Sequence, residues 1–283
     1  MPVEPPVVSP ESLREAYDHL AGQPHRPIAG GTDLMVQITG ELGEPPARVI
    51  DLWRLQELRG IAVRGDAVEL GALTTYTDIL RSPICHEHLP ALVEAAATIG
   101  AAQIQNRGTL GGNAMNASPA GDTLPVLLAL DAVIVVGGAA GEREVAAADF
   151  WPAYRQTAAR PDELLVRIRI PLGSGREQRF RKVGTRRAQA ISKVVAAAAW
   201  RGGDTWQDVR IALGSVAATP IRIREAEAVL EGRPRTVETI DAAVDALGAA
   251  IHPIDDVRST AAYRREAARR VVRRLLTESL VTR

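Results

Sequence analysis

The chain is poor in the residue that builds the most easily recognised sites. Its 283 residues include one cysteine, Cys85. No intrachain disulfide framework is possible, and no iron–sulfur cluster or cysteine-rich zinc site can be assembled from this chain alone. Lysine is scarce too, and arginine carries nearly all the positive charge, which reads as coding bias. The 34 basic and 34 acidic residues cancel to a formal net charge of zero, so no global field points to nucleic acid or an anionic membrane. No uninterrupted apolar run reaches the roughly 18 residues that a membrane span needs. The opening Met1-Pro2-Val3-Glu4-Pro5-Pro6 lacks the basic and apolar regions of a secretory signal. With 46% apolar and 24% charged residues, the expectation is a soluble, cytoplasmic α/β protein, long enough for two or three lobes.

What is present falls into three stretches. Ser9-Pro10-Glu11 predicts a helix start with Ser9 as cap, followed by Leu13, Tyr17 and Leu20 on one face as far as Gly22. Pro27 to Asp33 is a short strand breaking into a glycine turn before the run Leu34 to Ile38, and Val49 to Leu52 is a second strand. From Ile61 the pattern turns to hairpins around Arg64-Gly65-Asp66. Thr74-Thr75 caps a helix through Leu80, Leu89 to Ile99 forms another stopped by Gly100, and Leu124 to Leu130 a third. Val133 to Val136 is a buried strand, Asp149 caps a helix carrying Phe150, Trp151 and Tyr154, and Leu164 to Ile170 alternates with arginines as a half-exposed strand does. Pro171 to Gly175 is the best linker candidate. Beyond it, strands at 180–183, 194–200 and 209–213 precede helices near 221–231, 236–249 and 259–280. A boundary near residue 173 follows.

Two glycine pairs stand out: Gly30-Gly31 at the end of an apolar strand, and Gly111-Gly112 between a polar loop and a small-residue stretch. Residues without Cβ let another group approach the main chain, and successive free amides form an anion nest suited to a pyrophosphate. Thr32, Thr109 and Asn113 add side-chain donors. Each pair can equally be an ordinary tight turn. Neither matches the G-x-G-x-x-G or P-loop pattern, so Rossmann and Walker sites are unsupported. There is no nucleophilic triad, general-base histidine or paired-carboxylate signature. Cys85-His86-Glu87-His88 is too compressed to close a tetrahedral metal site and reads as a helix-connecting loop. His25 reads as a surface loop histidine. Arginines 264, 265, 269, 270, 273 and 274 lie on a helix whose apolar stripe includes Tyr263, Ala267, Val271 and Leu275; they predict a solvated face, a salt-bridge lattice or a subunit interface.

Ala29-Gly30-Gly31-Thr32-Asp33 and the run from Arg107 through Gly111-Gly112-Asn113 to Asp122 resemble the two FAD loops of the molybdenum hydroxylase flavin module. That family includes the medium subunit of carbon monoxide dehydrogenase and the FAD domain of xanthine dehydrogenase. Arg160 to Leu165, Phe180 to Arg186 and Tyr263-Arg264-Arg265 agree as well, so the resemblance spans the chain. It implies an α+β fold: a vanillyl-alcohol-oxidase-like (PCMH-type) FAD-binding domain at 1–172, of two α/β subdomains (about 1–57 and 58–172), then a C-terminal α+β domain at 173–283. It places Pro27, Ile28, Ala29, Gly30, Gly31, Thr32, Asp33 and Leu34 along the first loop, and Thr109, Leu110, Gly111, Gly112 and Asn113 along the second. Ile99 and Leu165 become apolar contacts to FAD. Asp122 goes near the ribose or adenine end, its bland alternative being N-cap of the Leu124 helix. Lys182 goes near the flavin ring, its bland alternative being a solvated strand lysine. No first-loop histidine stands where some relatives attach flavin, so FAD is expected to be non-covalent. Neither Tyr76 nor Trp151 can be assigned to the flavin.

The resemblance further implies an electron-transfer subunit. It would take electrons from [2Fe-2S] clusters in a small partner subunit, serve a large molybdenum–pterin subunit that oxidises the substrate, and pass them to an external acceptor. The assembly would be a dimer of heterotrimers, with no nucleic-acid partner. Two rivals are a stand-alone flavin oxidase or dehydrogenase of the same fold and a non-catalytic assembly protein that has lost FAD. Neither substrate nor acceptor is written in this chain.

Overall fold

The structure is a computed structural model, and it describes residues 5–40, 42–172, 175–186 and 189–281. Its first layer is a small parallel sheet. Strand β1 (Val7–Val8) leads through helix α1 (Leu13–Gly22) to β2 (Arg26–Ile28), and helix α2 (Leu34–Thr39) leads on to β3 (Val49–Asp51). The order is β1-β3-β2, all parallel, as short strands joined by helices require. Helix α1 starts later than the Ser9-Pro10 signal suggests. Ser12, not Ser9, accepts the Glu15 amide at 3.2 Å, and Glu15 reaches back to the Glu11 amide at 2.7 Å. Its buried face is Ala16 and Leu20. None of the residues of α2 is buried.

The second layer is a five-stranded antiparallel sheet in the order β4-β5-β8-β6-β7. Hairpin β4 (Ile61–Arg64) and β5 (Ala67–Gly71) turns at Gly65, whose φ of +60° favours glycine. Six helices then cross before the sheet resumes: α3 (Tyr76–Arg81), α4 (Pro83–His88), α5 (Pro90–Ala97), α6 (Ala102–Gln105), α7 (Leu110–Asn116) and α8 (Leu124–Ala129). Thr75 and Asp78 close a reciprocal capping box at α3. Cys85-His86-Glu87-His88 lies on α4, not in a loop, because Ser82 caps it and Pro83 opens it. Cys85 is fully buried, and burial pushes its thiol pKa up; no metal-holding group exists among the described residues.

Strands β6 (Val133–Gly138) and β7 (Gly141–Ala146), short helix α9 (Ala147–Phe150) and strand β8 (Leu164–Pro171) complete the sheet. Apolar alternation could not reveal β7, since Glu142, Arg143 and Glu144 hold it by charge. Arg167 grips Glu142 at 2.5 Å and Arg169 grips Glu144 at 2.5 Å across the sheet. Asp149 caps nothing: Ala146 takes the cap position of α9, which ends before Trp151 and Tyr154.

The C-terminal unit is an antiparallel sheet, β9 (Arg176–Val183), β10 (Val194–Arg201), β11 (Gln207–Gly214) and β12 (Ile221–Arg222), in the order β12-β11-β10-β9. Helices α10 (Arg224–Leu230), α11 (Val237–Ala250) and α12 (Ala261–Val281) cover one face. Strand β10 is apolar from Val194 to Trp200 because both faces are buried there. Val195, Ala197 and Ala199 join the core of the second layer, whereas Val194, Ala196, Ala198 and Trp200 join the helices. Residues 173 and 174 of the expected linker lie outside the described residues. No helix among the described residues is long and apolar enough to cross a membrane.

Helix α12 is rotated by about one residue from the expected stripe. It buries Arg264, Ala268, Val272, Leu275, Leu276 and Ser279, while Tyr263 is 47% exposed. Arg264 explains the rotation: it donates to the Ser215 carbonyl at 2.8 Å and to Asp256 at 2.7 Å, pinning the helix start inside. Arginines 269, 270, 273 and 274 pair with Asp245, Glu266, Asp241 and Glu278, a lattice within the chain.

Burial pushes the Asp256 carboxyl up, but the Arg258 amide and the Arg258 and Arg264 guanidinium groups outweigh it and hold the pKa at about 2. Its unfolded value is about 3.9. The stabilisation is therefore present above that value and is lost as pH falls through the folded pKa. Asp256→Asn is expected to lower the thermal midpoint at pH 7, with the gap from the unmodified chain narrowing between about pH 4 and pH 2. Thermal melts by circular dichroism across that range check it; a gap independent of pH would refute it.

Candidate functional site

The main groove is built where β2 ends. Ile28 hands over to Ala29-Gly30-Gly31-Thr32-Asp33, and Gly31 turns the chain into α2 with φ +76°. Between Ala29 and Asp33 no backbone amide has a protein acceptor among the described residues. Such a row of free donors is an anion nest. Facing it, Thr109 caps α7: its hydroxyl oxygen accepts the Gly112 amide at 3.0 Å.

The two glycine pairs divide their work. A Cβ on Gly30 would stand 1.7 Å from the Arg107 carbonyl oxygen, and one on Gly111 would stand 2.6 Å from the Ala72 carbonyl oxygen. Those two glycines let protein backbones meet. Gly112 has only the Thr109 hydroxyl near its missing side chain, at 2.8 Å, so its remaining face is open. Arg107 is tied at its other end as well, with its guanidinium 3.8 Å from the Trp53 ring centre. Asn116 adds a tie by donating to Asp33 at 3.1 Å, and Arg155 donates to Asn116 at 3.1 Å.

The resulting groove is about half enclosed and opens to solvent at its mouth. Of the residues anticipated from sequence, it is lined by Pro27, Ile28, Ala29, Gly30, Gly31, Thr32, Asp33, Leu34, Thr109, Gly111, Gly112, Asn113 and Leu165. Leu110 does not line it and is fully buried in the core. Tyr76, Met115, Asn116 and Glu163 also line the groove and were not anticipated. Tyr76 is 35 positions or more from either glycine pair; the Thr75–Thr109 bridge and the bond from its amide to the Gly108 carbonyl bring it there. Glu163 is not a free base: two hydrogen bonds from Arg143 hold its carboxyl below the usual range.

Asp122 and Lys182 form a second cluster outside the groove lining. The Lys182 ammonium donates to Asp122 at 2.5 Å and to the Thr98 carbonyl at 3.1 Å. Ile99, next in sequence to Thr98, packs against the core. The solvated alternative for Lys182 fails, because its side chain is 8% exposed. The capping alternative for Asp122 fails too, because Thr123 takes that position and donates to Asn113 at 2.6 Å. An ion pair this short also puts both residues at one place. They cannot serve opposite ends of an extended dinucleotide, as the resemblance implied. Burial pushes the Asp122 carboxyl up and Lys182 only partly pulls it back, leaving it at about 6. Its second oxygen, Oδ1, is buried with no partner among the described residues.

A dinucleotide with a diphosphate fits these features. Free amides and an open glycine face suit the phosphates.

Two outcomes follow from the geometry. Gly30→Ala forces Arg107 away and is expected to destabilise the chain by roughly 2 kcal/mol, against at most about 1 kcal/mol for Gly112→Ala, which crowds only the Thr109 cap oxygen, both read by urea unfolding; equal values would show that the loops do not interlock at Gly30. A raised folded pKa at Asp122 means that its contribution is favourable below about 3.9 and is lost as pH rises through about 6. Lys182→Met, which strips away the opposing charge, is expected to destabilise by roughly 3 kcal/mol at pH 7.5 and by clearly less at pH 5. Loss of the same size at both values would contradict this.

Comparison with known proteins gives the same picture. Residues 2–173 match the FAD binding domain in molybdopterin dehydrogenase, and residues 179–279 match the CO dehydrogenase flavoprotein C-terminal domain. The nicotinate dehydrogenase FAD-subunit of Eubacterium barkeri is 32% identical, with 96% of this chain and 95% of the relative covered. The carbon monoxide dehydrogenase medium chain of Hydrogenophaga pseudoflava is 33% identical, with 95% and 94% covered. A solved structure of that carbon monoxide dehydrogenase, lacking the Mo-pyranopterin moiety of its cofactor, superposes with a TM-score of 0.93 at 33% identity, covering 98% of this chain and 97% of that one. Two glycine loops that clasp each other beside one groove, and a match along nearly the whole chain, thus make this protein a member of the family of FAD-binding subunits of molybdenum hydroxylase-type dehydrogenases.

Proposed function

We propose that this chain holds FAD non-covalently between its two glycine loops and is the electron-transfer subunit of a molybdenum hydroxylase complex. In this reading a small partner subunit with [2Fe-2S] clusters delivers electrons, and a large molybdopterin subunit oxidises the substrate. FAD supplies the exchange between two-electron and one-electron chemistry and hands the electrons to an external acceptor. The residues that hold it belong to the domain assigned to 1–172, against which the described part of the C-terminal domain packs through the Asp122–Lys182 pair. A cytoplasmic dimer of heterotrimers is the assembly proposed.

The observation that carries this reading is the groove itself: free main-chain donors on one wall, Gly112 on the other, and both carboxylates among the described residues that line it already engaged. Glu163 is held by Arg143 and Asp33 by Asn116. A stand-alone oxidase would need a base beside its substrate. No histidine or cysteine is among the groove's lining residues, which favours non-covalent attachment. With one cysteine in the chain, cluster ligands must come from partners. The intact cradle speaks against an assembly protein that has lost FAD.

Expression of the chain alone and with its co-encoded neighbours tests this. FAD is expected to be released by acid, and turnover of the complex's substrate is expected only after assembly. Gly112→Val, whose branched side chain enters the groove, is expected to reduce FAD occupancy at least tenfold while leaving the C-terminal unit folded. A chain that is colourless in every preparation would sink the proposal.

A further inference from the structure

Tyr76 is 3% exposed, yet it lines the groove. Its ring is wedged against the second loop: a Cβ on Gly108 would stand 2.8 Å from its Cε2 atom, so glycine is needed there. Its amide donates to the Gly108 carbonyl at 3.3 Å, and the adjacent Thr75–Thr109 bridge fixes α3 against the cap of α7. The ring is thus held from two sides. Its hydroxyl has no partner among the described residues, and it is not among the polar atoms sealed away from solvent. The residue itself lines the groove. A buried tyrosine hydroxyl ordinarily finds a hydrogen-bond partner, and here the protein supplies none.

The surroundings define what it can do. Burial, then the charges of Asp122 and Asp33, push its pKa well above the ordinary tyrosine range, so it stays a protonated donor. It stands beside the loop that carries Gly111 and Gly112 and lines the same groove as the residues that follow Ala29. The acceptor there is the anionic middle of a dinucleotide.

We propose that Tyr76 is a positioning residue whose hydroxyl donates a hydrogen bond to an oxygen of the FAD diphosphate. This rests on the FAD reading above. The hydroxyl adds one neutral side-chain donor to the main-chain donors of the first loop. The ring packs the second loop, and the oxygen faces the ligand.

Tyr76→Phe separates the two roles, because it keeps the ring and removes only the oxygen. FAD is stripped from the full chain and titrated back by fluorescence, and the reloaded protein is examined by phosphorus NMR. The expected result is a dissociation constant raised about tenfold, with shifted diphosphate resonances and an apo-protein melting temperature matching that of the unmodified chain. An unchanged dissociation constant or unchanged diphosphate resonances would overturn the assignment. So would a lowered apo melting temperature, which would make the hydroxyl part of the packing. An unmodified chain that binds no FAD defeats the FAD reading itself, whereas equal binding by both chains defeats only the role of Tyr76.

Discussion

The contact between the Gly30 backbone and the Arg107 carbonyl holds the site together. It joins a turn of the small parallel sheet to a loop of the antiparallel layer nearly eighty positions later, at a distance that leaves no room for a side chain. Arg107 is held again through its guanidinium on Trp53, from the same first layer. The Asn116–Asp33 bond closes the loops further along. Because the two walls are bound to each other, the free amides of the first loop and the open face of Gly112 keep a set separation. That is the preorganisation a diphosphate site needs, since donors already in place need no reordering on binding.

The C-terminal unit contributes by packing. Its sheet is buried on both sides, and the alanines of β10 let helices approach from either face. Polar ties then define how it sits. Asp131 receives Arg176, Arg210 and Arg222 at 3.0 to 3.1 Å, and Gln178 donates to the His88 carbonyl. Lys182 inserts its charge beside Asp122. Desolvation there outweighs attraction, as the raised Asp122 pKa shows. The pair therefore joins the two units through a buried carboxylate, one of whose oxygens lacks a hydrogen-bond partner among the described residues.

Much of the architecture was legible where one rule governs one element. The hairpin at Gly65, the cap at Thr75 and the long apolar strand at 194–200 follow from turn chemistry, capping and periodicity. Errors arose where two rules compete. Ser9 and Ser12 both make plausible caps, and only the reach of Glu15 back to Glu11 decides between them. Strand β7 is held by cross-strand charge and carries no apolar alternation. Helix α12 turns inward on Arg264, a residue that any stripe analysis assigns to water, because two loop carbonyls and Asp256 are waiting for it.

For the glycine loops, the sequence by itself determined that backbone had to come close to something at Gly30-Gly31 and Gly111-Gly112, since those positions lack a Cβ and carry polar neighbours. It could not say to what. Tertiary structure decided that Gly30 and Gly111 meet protein while Gly112 faces the groove. It also decided that Asp122 and Lys182 share one position, and that Tyr76 arrives from a distant helix with its hydroxyl unclaimed. The physical reason is that composition and spacing report local conformational freedom, whereas burial and partnership depend on which distant segments the fold brings within a few ångströms.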